Sequence, residues 1–265
     1  MKIERVVVDN KDTMGPDGGA AYVEFLMAFI PLFIMFLGMV QMCLMYAGDL
    51  VVQHAASRAS RAAAVVLDDD PEYYDGARRR QIDTSGSSSE SPLGALIRLF
   101  SGGSGGSGPP AAGGARLAAI RTAASMPLAA ISPSLNQIFR TDQESIRQAI
   151  DSPETRAATG VFLYNEAAMA VTFPQGPGST SYRTSWDHGD QVTTRVTYLF
   201  HCGIPLVNRM MCRSYGALGA GGESAAMGEI ATAGTSGALA GSLGSFFKVM
   251  RGEATMPLQS AHYEY

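Results

Sequence analysis

Hydrophobic and polar positions follow three different rules along this chain. From Phe25 to Ala47 the sequence FLMAFIPLFIMFLGMVQMCLMYA is apolar on every side: 23 residues carry no charge, and Gln41 is the only strongly polar one. At ~1.5 Å per residue this run is about 34 Å long, enough to cross a ~30 Å hydrocarbon core. The helix of a soluble core is shorter and less uniformly apolar. A removable secretory signal has an apolar core of only ~7–15 residues, with a small-residue cleavage site after it. Pro31 is tolerated, because membrane helices accept proline. Beyond the run, Ala55, Ala56, Ala59, Ala62, Ala63 and Val66 recur at helical spacing, with Arg58 and Arg61 off the stripe. Asp68-Asp69-Asp70-Pro71 is a stop signal. The pattern predicts one helix of about 45 residues that begins in lipid and continues into water.

Residues 68–115 read as a flexible linker. Asp68, Asp69, Asp70, Glu72, Asp75 and Arg78-Arg79-Arg80 read as a solvated charge run, without the spaced acids of a calcium loop. Ser85–Ser91 and Ser101–Pro110 are low-complexity, and Leu93–Phe100 between them suits a short helical turn. Arg116–Ser125 and Ser134–Ile150 read as helices, the second with Leu135, Ile138, Phe139, Ile146 and Ala149 on one face. The period then becomes two. Ala168–Phe173 and Ser181–Trp186 are predicted strands, and Asp187-His188-Gly189-Asp190 is turn chemistry. Val192, Thr194, Val196, Tyr198 and Phe200 alternate with Gln191, Thr193, Arg195, Thr197 and Leu199. Trp186 reads as a core-edge residue. Ser214–Ser245 is rich in Gly and Ala and suits either a helix or a loop. Phe246–Met256 is a last strand whose Lys248, Arg251 and Glu253 suit a half-exposed or edge position. The fold class is α+β: a long N-terminal transmembrane helix and a head of helices plus an antiparallel sheet.

Composition narrows the function classes. With 20 basic and 24 acidic residues in 265, the net charge is −4, which lacks the basic face of a nucleic-acid binder. Three Cys exclude a Cys-rich scaffold and a four-Cys zinc site. A mean hydropathy of +0.05 excludes a multi-span transporter. Gly103-Ser104-Gly105-Gly106-Ser107-Gly108 fits G-x-G-x-x-G, but it lies in a Gly/Ser tract before Pro109-Pro110, where a dinucleotide loop needs a strand and a helix. His54, His188, His201 and His262 belong to no metal or catalytic motif. His201 and Cys202, adjacent on a strand, point to opposite faces and make a poor dyad. No enzyme activity, metal or cofactor is expected. Lys2, Arg5 and Lys11 before the span outnumber Arg58 and Arg61 after it, slightly favouring a cytoplasmic N-terminus.

The residues before the span carry the sharpest signal: Gly18-Gly19-Ala20-Ala21-Tyr22-Val23-Glu24-Phe25. A carboxylate at the lip of a membrane helix is costly and asks for a partner. A cut between Gly19 and Ala20 creates an α-amine four residues before Glu24, one helical turn away. A neighbouring copy's Glu24 could meet the same amine in a filament. Alternatively, the chain is an uncut anchor and Glu24 snorkels to the interface.

This arrangement of Gly, small residues, Glu, Phe and an apolar helix resembles a type IV prepilin-like signal. With Ala55-Ala56-Ser57-Arg58-Ala59-Ser60-Arg61-Ala62-Ala63 after it, the segment 15–67 resembles a TadE-like minor pilin of the bacterial Tad/Flp pilus system. The rest is similar more loosely, through a strand, the Cys-bracketed Ile204-Pro205-Leu206 and the final EATMP strand. The resemblance implies a type IV pilin-like architecture: leader 1–19, transmembrane helix and periplasmic extension 20–67, linker 68–115, and an extracytoplasmic head 116–265. It implies cleavage between Gly19 and Ala20 by a prepilin peptidase, with Glu24 and Phe25 serving assembly. The implied partners are that peptidase, other pilins and pilus-assembly proteins, and the lipid bilayer, with no nucleic acid. The implied location is the inner membrane, with the head periplasmic or at the cell surface and roles in adhesion or secretion. An uncleaved scaffold of a secretion machine and a tethered binding module are the rival readings. Cys43 in the span reads as an apolar filler. If the head is exported to an oxidising compartment, Cys202 and Cys212 are expected to bridge rather than stay as two thiols. Such a bridge contributes about 2–3 kcal/mol in the loop-entropy picture.

Overall fold

The computed structural model describes residues 17–82, 114–133, 164–165, 168–219, 225–226, 229–230 and 245–259. The expected helix at Ser134–Ile150, the turn at Leu93–Phe100, the low-complexity tracts and most of the Gly/Ala-rich segment lie outside them.

Helix α1 runs unbroken from Asp17 to Val66, 50 residues with Pro31 inside, or about 75 Å. Its two halves obey different physics. From Tyr22 onward nearly every large apolar side chain is exposed, among them Phe25, Met27, Leu32, Met35 and Phe36. From Gly48 the helix is amphipathic. Val52, Ala55, Ala56, Ala59 and Ala63 are buried, while Gln53, His54, Arg58 and Arg61 face out. The small-residue stripe is therefore a packing face.

Helix α2 (Ala115–Leu128) lies against α1 and buries Leu117, Ile120, Ala124 and Leu128. Strands β1 (Met169–Thr172) and β2 (Gln191–His201) follow. After them come a short helix α3 (Asn208–Met211), a two-residue strand β3 (Arg213–Ser214) and a short helix α4 (Tyr215–Gly219). Strand β4 (Phe246–Pro257) completes the described elements. The sheet order is β1-β2-β4-β3, antiparallel throughout. The α+β expectation holds.

β2 pairs with β4 over its whole length, from Gln191 opposite Pro257 to His201 opposite Phe247. On the other side, among the described residues, β4 pairs only with β3, at Phe246 and Phe247. It is thus an edge strand for most of its course, as its half-exposed charges predict. The alternation in β2 is also real. Val196 lies opposite Gly252, which touches the α1 backbone, and Phe200 and Met250 flank Gly48. The set that includes Arg195 points the other way, yet only Gln191 and His201 escape burial. The strand is covered on both faces.

Of the two further strand candidates, Met169–Thr172 forms β1, whereas Ser181–Trp186 makes only isolated bridges, Tyr182 to Pro174 and Ser185 to Gln81. Trp186 is buried edge-on against Phe173, with ring centroids 5.4 Å apart. The Asp187–Asp190 turn forms, with Gly189 at φ +85° and the Asp190 N–H donating to the Asp187 carbonyl.

The acidic run after α1 departs from the expected solvated loop. Asp70 caps a 3-10 turn at Pro71–Tyr74 by accepting from the Glu72 N–H. Asp68 is buried and paired with Arg80 Nε at 2.8 Å. The Arg80 carbonyl accepts from Trp186 N–H, and Ile82 is buried. Residues 68–82 fold back onto the head because a buried carboxylate with an arginine partner costs far less than an unpaired one. Cys202 and Cys212 are joined by a disulfide, and Cys43 is exposed and free.

Candidate functional site

The exposed half of α1 is the surface on which function is expected. Gly19 and Ala20 lie in the first turn of the helix, and Glu24 follows one turn later with its side chain exposed. Phe25, Phe29 and Phe33 stack in a ladder at i, i+4 spacing, with ring centroids 5.3 and 5.6 Å apart. The segment is long and apolar enough to cross a membrane, and its most apolar stretch is not buried in the protein. Such a surface is stable only in lipid or against other apolar helices.

The head grips the other half through a seam that only glycine permits. A Cβ built on Gly252 comes within 2.7 Å of the Val52 carbonyl oxygen and 2.9 Å of Gln53 Cα. β4 therefore lies directly on the α1 backbone. Gln53 fastens the contact from the helix side. Its Nε2 donates to the Glu253 carbonyl at 2.7 Å, and its Oε1 accepts from the Glu253 N–H at 3.3 Å.

The far end of α1 is closed by Arg116 from α2. The helix has no basic residue in its last turn. Arg116 supplies the missing charge: its guanidinium donates to the carbonyls of Val66, Asp69 (3.0 Å) and Ala77 (3.1 Å). It also lies 4.6 Å from the centre of the Tyr74 ring. A cation at the helix C-terminus satisfies orphan carbonyls and meets the negative end of the dipole.

The covered polar face of the sheet holds a buried ion cluster. Arg195 donates through Nε to Glu253 at 2.6 Å, through Nη1 to Glu229 at 3.2 Å, and through Nη2 to the Ser179 carbonyl at 2.6 Å. Glu229 also accepts from Tyr182 and Thr197, each at 2.5 Å, and Arg251 approaches it at 3.7 Å. Burial works against the Arg195 charge, but the two carboxylates outweigh it and hold the guanidinium above its usual range. For Glu253, burial is outweighed by the Gly178 N–H and Arg195, so its carboxyl lies below the usual range. Tyr182 is pushed up, by burial first and then by its bond to Glu229. Every charge has a partner, as a structural cluster requires. Among the described residues no group of three or more His, Cys, Asp or Glu is arranged to hold a metal.

Sequence reasoning did not anticipate three of these features: Arg116 as a cap, the Gly252 seam, and Glu229 as the centre of the cluster. A signal existed only for the Arg195–Glu253 pair beside Glu229. Arg195 and Glu253 stand out as opposite charges in two strands that alternate strongly, and in-register pairing brings them together.

Compared with known families, residues 19–61 match the family described as TadE-like protein. The match begins at Gly19 and ends inside the buried half of α1, so the head lies outside it. No curated protein and no solved structure matches the chain.

Proposed function

We propose that this chain, TadE-like over residues 19–61, is a membrane-anchored minor pilin or assembly subunit of a Tad/Flp pilus. The family match marks a Tad pilus-related protein. One observation carries the finer reading: a single helix joins an apolar stretch from Tyr22 to Phe36, whose large side chains are almost all exposed, to a half committed to the head. A subunit of a helical filament needs that division, because the free half must pack first in lipid and then against other subunits. Glu24, exposed in α1 a turn after the Gly19–Ala20 bond, would, once that bond is cut, pair with the new α-amine of its own chain or of a neighbour. A prepilin peptidase supplies that amine by cutting the bond. The role is structural, and the partners are other pilins, assembly proteins and the bilayer.

The experiment is intact mass and N-terminal sequencing of the membrane form, with copurification of assembly partners, for wild type and Glu24→Ala. The expected mature chain begins at Ala20. Glu24→Ala should insert and be cut normally but fail to enter the assembly fraction. Leaving one member of a buried pair uncompensated costs on the order of 3–5 kcal/mol. An uncut mass supports an anchored scaffold instead, and normal copurification removes Glu24 from the assembly role.

A further inference from the structure

The disulfide-closed loop 202–212 carries a surface that the pilin reading leaves unexplained. Leu206 and Met210 are 62% and 77% exposed, Pro205 is exposed beside them, and Arg209 and Arg213 are exposed around them. Leu206 sits at φ +71°, a backbone region that L side chains rarely adopt. Val207, in contrast, is buried and anchors the loop to the head. Exposed apolar tips held on a cross-linked, anchored loop, with exposed Arg209 and Arg213 beside them in sequence, form a defined surface rather than scattered exposure.

The seam fixes where this surface lies along α1. Met250 meets the helix at Gly48, Gly252 meets it at Val52, and the Gln259 N–H donates to the Ala64 carbonyl. β4 therefore runs parallel to α1, and two strand residues (about 6.6 Å) advance as far as four helical ones (about 6 Å). Four residues below Met250, Phe246 falls level with about residue 40 of the helix. Its carbonyl accepts from the Cys202 N–H, and β3 pairs with it directly after Cys212. Among the described residues the loop is thus at the end of the head that faces the apolar half of α1. Gln41, at the same level, is fully buried. On the open side of the helix Met42, Leu44 and Tyr46 are still exposed and belong to the uncharged run. The head begins where the run has two turns left, so its lower rim overlaps the edge of the bilayer.

We propose that loop 202–212 is a second membrane contact. Leu206 and Met210 enter the boundary between headgroups and acyl chains, and Arg209 and Arg213 bind the phosphates of anionic phospholipids. Apolar tips with flanking arginines are the chemistry of interfacial docking, and the exposed Tyr46 suits the same depth. The contact fixes the tilt and rotation of the head on the membrane. The inference rests on α1 being the membrane span, so the test reads the span separately.

The full chain, with Cys43→Ala and the native disulfide kept, is reconstituted in vesicles of phosphatidylglycerol and phosphatidylcholine. An environment-sensitive fluorophore is placed through Ile30→Cys, Met210→Cys or Tyr73→Cys, the last at the far end of α1. Lipids carrying a shallow or a deep spin label report depth. The proposal expects blue-shifted emission at position 210, shallow-label quenching at least fivefold stronger than at position 73, and deep-label quenching at position 30. Arg209→Gln with Arg213→Gln, or pure phosphatidylcholine, should cut the quenching at 210 severalfold and leave position 30 unchanged. Quenching at 210 no stronger than at 73, with 30 quenched, overturns the proposal alone. A blue shift at 210 without lipid quenching means that a second copy covers the loop, and it also overturns the proposal. Absence of quenching at 30 overturns the membrane reading itself.

Discussion

Gly252 and Gly48 both lie where head and helix touch, but alanine at the two sites should have opposite consequences. At Gly252 the new methyl meets helix backbone at 2.7–2.9 Å, inside the limit of real Cβ contacts. Neither side can yield locally. Val52 and Gln53 are held in α1, and Gly252 is held in register opposite Val196. The seam must open by several tenths of an ångström along its length. Overpacking costs about 1–3 kcal/mol, and an immovable backbone puts this case at the upper end. Alanine recovers up to about 1 kcal/mol of the conformational cost of a strand glycine, leaving a net loss near 2 kcal/mol. At Gly48 the methyl meets Phe200 Cδ2 and Cε2 at 3.1 Å and Met250 Sδ at 3.2 Å. A thioether and a ring edge can move, and helix propensity returns about 1 kcal/mol, so Gly48→Ala should be close to neutral. The assay is thermal unfolding of the full chain in detergent micelles, followed by fluorescence of Trp186, the single tryptophan and a buried one. At about 2–4 °C per kcal/mol, Gly252→Ala should lower the midpoint by roughly 4–8 °C. Equal stability of Gly252→Ala and wild type would refute the reasoning, and so would an equal loss in both variants.

Two further predictions concern the head. Arg116→Leu should destabilise it by about 3–5 kcal/mol, because three carbonyls lose a charged donor in a buried site; a midpoint within error of wild type in the same assay would remove Arg116 from its capping role. Glu253 has a folded-state pKa below its ordinary value, so its contribution is complete above the unfolded value of about 4.3 and is lost as pH falls through the folded one. Stability should therefore drop on acidification below about pH 4.5, and Glu253→Gln should make that drop shallower; Asp190, also lowered, first by the Asp187 N–H and then by Arg183, adds to the background slope. Identical slopes in the two proteins would show that the Arg195 contact does not govern the Glu253 proton.

What was legible in the sequence divides by range of interaction. The long apolar helix, the alanine stripe, the β2 alternation and the Gly189 turn are written in local periodicity and turn chemistry, and the structure has them all. The 68–82 segment was misread because its composition looks solvated. Its folding depends on Arg80 reaching back to Asp68 and on Trp186 meeting the Arg80 carbonyl, and that second partner is remote in sequence. Arg116 closes α1 from a separate helix, and Gly252 reads locally only as a weakened strand. Gly19, Ala20, Glu24 and Phe25 could be put forward from sequence because they are consecutive or nearly so, and their role remains a proposal. The loop 202–212 was visible only as a cysteine pair bracketing Ile204-Pro205-Leu206. Its exposed tips and its level along α1 follow from how β4 is laid on the helix.

That parallel course has a mechanical meaning. A force applied at the N-terminal end of α1, along its axis, does not peel the helix from the sheet one contact at a time. From Gly48 to Ala64 the contacts with β4 lie side by side along the pull, so they are loaded together, in shear, and must yield together. Bonds sheared in parallel hold a larger load than the same bonds unzipped in series. The disulfide closes a rim at the end of the sheet where the pull enters. The joint between rod and head is therefore strongest along the axis in which the rod would be drawn.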